Sequence, residues 1–83
     1  MDIRGDSKRI VQMLLNVAVE QGDFRIDFQI DFPKIAQELR LESENYCRIC
    51  FLYLANKGII TPYKEAGCIQ IIPAAAVDFI AET

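Results

Sequence analysis

The chain has 83 residues, 52% of them apolar and 25% charged, a balance that excludes a disordered tail and allows one hydrophobic core but not two. A formal charge of −3 supplies no long-range attraction for nucleic acid or an anionic membrane, so a polyanion could be held only by a local basic face.

Asp2, Arg4, Asp6, Lys8 and Arg9 break up the start of the chain before any apolar stretch, unlike a signal peptide. No apolar run approaches the ~18–20 residues of a bilayer crossing. Three cysteines, an odd number, argue against a closed disulfide framework and suit a reducing compartment. The expectation is a single cytoplasmic domain, residues 1–83, with no membrane partner.

Asp6 or Ser7 is positioned to cap a first helix running from about residue 7 to 21 and stopped by Gly22, with Ile10, Leu14, Val17 and Ala18 on one face and Met13 and Val11 at its borders. FRIDFQIDF, residues 24 to 32, then alternates without a miss: Phe24, Ile26, Phe28, Ile30 and Phe32 on one side, Arg25, Asp27, Gln29 and Asp31 on the other. This predicts a strand with one wet face, which needs partners later in the chain. Asp31 and Pro33 signal a short second helix with Ile35, Ala36 and Leu39 inward, ending near Arg40. Leu41-Glu42-Ser43 is a tight connection, Ser43 capping a third helix, ENYCRICFLYLANK, that stops at Gly58. Strands IITPYK and CIQII follow around a turn at Glu65-Ala66-Gly67. Pro62, which lacks an amide hydrogen, places its strand at a sheet edge. Pro73 opens a last helix to Glu82, with Val77, Ile80 and Ala81 on one stripe.

This order is similar to that of the winged helix-turn-helix family, and PKIAQELRLESENYCRICFLYLANKGII carries most of the likeness. It holds the Ile35-Ala36 pair, a short turn, and Leu54, Gly58 and Ile60 in a Leu-x-x-x-Gly-x-Ile pattern leading into a wing. The resemblance, closest in kind to small bacterial and phage proteins that end in a helix after the wing, covers nearly the whole chain. It implies an α+β fold: a helical core, a three-stranded antiparallel sheet in which the first strand lies beside the second wing strand, and a C-terminal helix.

Catalytic and metal chemistry find little support. Cys47-Arg48-Ile49-Cys50 is a C-x-x-C with Cys68 further on, but a closed zinc site needs four ligands and the chain has no histidine. Cys47 and Cys50 are expected as small apolar groups on the inner side of the third helix, in line with Phe51 and Leu54. Without histidine a serine or cysteine nucleophile lacks its usual base, and the four glycines stand isolated, so no phosphate loop exists. No enzyme, cofactor or metal is expected. Arg4-Gly5-Asp6 spells an integrin-binding tripeptide, read as coincidence.

Two roles remain. If the chain reads double-stranded DNA in a transcription-regulatory role, as the resemblance implies, Asn45 and Arg48 reach base edges while Lys34, Arg40, Lys57 and Lys64 contact phosphates. Yet residues 31 to 58 carry four basic groups (Lys34, Arg40, Arg48, Lys57) against four acidic ones (Asp31, Glu38, Glu42, Glu44). The alternative is association with a protein partner or as a homodimer, through an apolar strip of Ile49, Leu52 and Tyr53 and through Phe79 on the last helix.

Overall fold

A computed structural model describes residues 2–26, 30–62 and 69–82. Helix α1, Ile3–Gln21, starts upstream of the expected cap at Asp6 or Ser7, because the Asp2 side chain accepts from the Gly5 amide at 3.0 Å and opens the helix there. Ser7 is instead fully buried, its hydroxyl without a hydrogen-bond partner among the described residues. The Arg4-Gly5-Asp6 tripeptide is helical, with Arg4 paired to Glu82. Gly22 ends the helix at φ 70°, a left-handed conformation that glycine adopts without a side-chain penalty, and the Asp23 amide reaches back to the Ala18 carbonyl at 3.1 Å.

The alternating stretch does less than its pattern promises. Among the described residues strand β1 spans Arg25–Ile26; Phe24 lies outside it and is 41% exposed, and Phe32 is already the first residue of helix α2, Phe32–Glu38. Two local signals outcompete the alternation. The Asp31 carboxylate accepts from the Lys34 amide at 3.1 Å, and Pro33 occupies the first turn, where its missing amide hydrogen costs nothing. Asp27, Phe28 and Gln29 lie outside the described residues, as do the facing of Ile26, the turn at Glu65-Ala66-Gly67, Lys64 and Cys68.

After α2, Arg40 takes φ 54° in the turn, and Ser43 caps helix α3, Glu44–Asn56, by accepting from the Tyr46 amide at 3.0 Å. Gly58, at φ 74°, turns the chain into strand β2, Ile60–Pro62, which pairs antiparallel with strand β3, Ile69–Ile71. The strand order is β1-β3-β2, so β2 with its Pro62 is at an edge, and β1 meets β3 through Arg25 opposite Gln70 and Ile26 opposite Ile69. Helix α4, Pro73–Ala81, closes the chain with proline in its first turn.

The expected fold class is therefore corrected. Among the described residues the molecule is a small, mostly helical α+β structure of four helices, and its regular ribbon is the two-strand antiparallel β2/β3 pair. The strand expected over residues 24 to 32 is, among the described residues, Arg25–Ile26, and the Asp31 cap and Pro33 convert the end of that stretch into helix.

The core lies between α1, α3 and the ribbon. Ile10, Leu14, Cys47, Cys50, Leu54 and Ile71 are at most 1% exposed. Face assignments for α1 hold with a small rotation: Val11 is buried and Val17 half-buried. For α4 they do not, since the buried stripe is Ala76 and Phe79, while Val77 is 59% exposed and Ala81 exposed. The reason is docking angle: α4 packs on α1, where Arg4 and Lys8 both bond Glu82 and the Lys8 ammonium lies 5.9 Å from the Phe79 ring centre. No described helix is long and apolar enough to cross a membrane.

Candidate functional site

Helix α3 has two unlike long faces. Cys47, Cys50, Phe51 and Leu54 recur at i, i+3, i+4 and i+7 and are all buried, as their spacing predicts. On the other face Ile49 is 50% and Leu52 64% exposed.

A polar tie at the start of α3 reinforces the rotation that this apolar spacing demands. The Tyr46 hydroxyl donates to Asp6 Oδ2 at 2.6 Å, Asp6 Oδ1 pairs with Arg9 at 3.2 Å, and Arg9 donates onward to the Leu39 carbonyl. Three helices are pinned by one carboxylate. Burial, then the hydrogen bond to Asp6, pushes the Tyr46 phenol far above its ordinary range, so it remains a donor at any physiological pH.

Leu52 also stands at the mouth of a groove of about 360 Å³ between α3, the start of α2 and the ribbon. Its walls are Ile30, Phe32, Phe51, Leu52, Ala55, Ile60 and Ile69, with Arg48 the one charged group among the described residues. Phe32 meets Phe51 edge to face, ring centres 5.2 Å apart. Arg48 does not reach out as a free base reader: its guanidinium donates to Glu44 Oε1 at 3.2 Å and lies 4.4 Å from the Phe32 ring centre.

The other DNA candidates are dispersed. Asn45 and Arg40 are exposed on α3 and in the α2–α3 turn. Lys34 borders a separate hollow between α1 and α2 with Asp31 and Glu38, and Lys57, 5.3 Å from the Tyr53 ring centre, borders another with Asp78 and Glu82. Each lysine thus shares its hollow with carboxylates. Among the interface candidates, Ile49 and Leu52 are exposed, and Tyr53 is half-buried with its ring centre 6.3 Å from that of Phe79. Phe79 is corrected: at 3% exposure it belongs to the core, because α4 turns it towards Tyr53 and Lys8.

Sequence reasoning missed the groove. Phe32 and Ile30 were expected on a strand, and only their return beside α3 makes a wall of them. A signal existed in Asp31 and Pro33, whose helix-start pattern already contradicts a strand running to residue 32.

The C-x-x-C thiols are both free and buried. Burial first, then the neighbouring Cys50, pushes the Cys47 thiol up to about 11, which leaves almost no thiolate for redox or nucleophilic chemistry near neutral pH. No group of three or more His, Cys, Asp or Glu that could hold a metal occurs among the described residues. No protein-family model, curated protein or solved structure matches the chain.

Proposed function

We propose that this chain is a non-enzymatic protein-association module whose contact surface is the outward face of α3 and the adjoining groove. The observation that carries this reading is the pair Ile49 and Leu52, both at least half exposed on one helix face, with Leu52 forming the mouth of an apolar groove. Helix faces of this kind accept large apolar anchors from a partner segment.

DNA reading, the other expectation, receives less support. It asks Arg48 for a free fork of donors, and that guanidinium is engaged by Glu44 and Phe32. Its phosphate partners Lys34 and Lys57 each face carboxylates.

A displayed library of random peptides, selected on the wild type and on an Ile49→Glu, Leu52→Glu double mutant of matched helicity, tests the proposal. Peptides retained by the wild type and lost by the double mutant are expected; a wild-type dimer that the two substitutions convert to monomer, measured by light scattering, supports the same surface. If both proteins retain the same peptides, or none, and the wild type is a monomer, the proposal is overturned. Salt-sensitive duplex DNA binding that Arg48→Ala weakens would overturn it in favour of DNA.

A further inference from the structure

We draw no further inference here: the strongest candidate, the apolar groove between α3, the start of α2 and the β2/β3 ribbon, belongs to the surface already described, and nothing in the structure shows what covers it.

Discussion

The two faces of α3 come from one thirteen-residue helix, yet the apolar residues on them have opposite fates. The inner face is sealed by α1, α2 and the ribbon; the outer one keeps Ile49 and Leu52 in water. Leu54 and Leu52 are two positions apart and differ from 0% to 64% exposure. Residue type therefore says little about role here, and helix rotation says nearly everything.

That contrast can be broken most sharply by truncation. Leu54→Ala is expected to cost about 2–5 kcal/mol of folding free energy through lost burial and a cavity, whereas Leu52→Ala stays within about 0.5 kcal/mol. Urea denaturation of both mutants decides it; a comparable loss at Leu52 would mean that the outer face is covered.

Alkaline titration probes the inner face next. Cys47 carries a folded pKa raised from 9.0 to about 11, and Tyr46 is raised above 10.0 as well. The unfolded chain releases these protons first, so stability is full below about pH 9 and falls as pH rises, by about 1.4 kcal/mol per unit for each group while its folded form holds the proton. Urea midpoints between pH 7 and 11 measure this; a flat profile would place both groups in water.

The Tyr46–Asp6 tie reinforces that rotation, and Tyr46→Phe sharpens the comparison by removing it. A loss of about 1–2 kcal/mol is expected, with a shallower decline above pH 10 than in the wild type. An unchanged thermal midpoint would assign the orientation of α3 to packing alone.

Smallest is the effect of Ser7→Ala. The buried hydroxyl lacks a partner among the described residues, so its removal is expected to leave stability unchanged or raise it by up to about 1 kcal/mol. A clear loss by calorimetry would reveal a hydrogen bond that Ser7 makes elsewhere in the chain.

Much of this was legible beforehand because it is local. Gly22, Ser43, Gly58 and Pro73 mark helix ends through backbone conformation and capping, which depend on a few neighbouring residues, and each acts where expected. The i, i+3, i+4, i+7 spacing of Cys47, Cys50, Phe51 and Leu54 likewise determined the buried side of α3, since any other rotation exposes four apolar groups at once.

Tertiary structure decided the rest. How far FRIDFQIDF stays a strand depends on competition between its alternation and the Asp31 and Pro33 helix start, which takes Phe32 into α2. Asp6 could be read as a cap until Tyr46, forty positions away, was found to claim its carboxylate. Phe79 sits in a helix apolar on several sides, and only the docking of α4 against α1 selects which side is hidden. The groove by Leu52 and Arg48 exists because residues 30 and 32 return beside α3. Periodicity within one helix carries no information about such a return, which arises from the packing of separate elements.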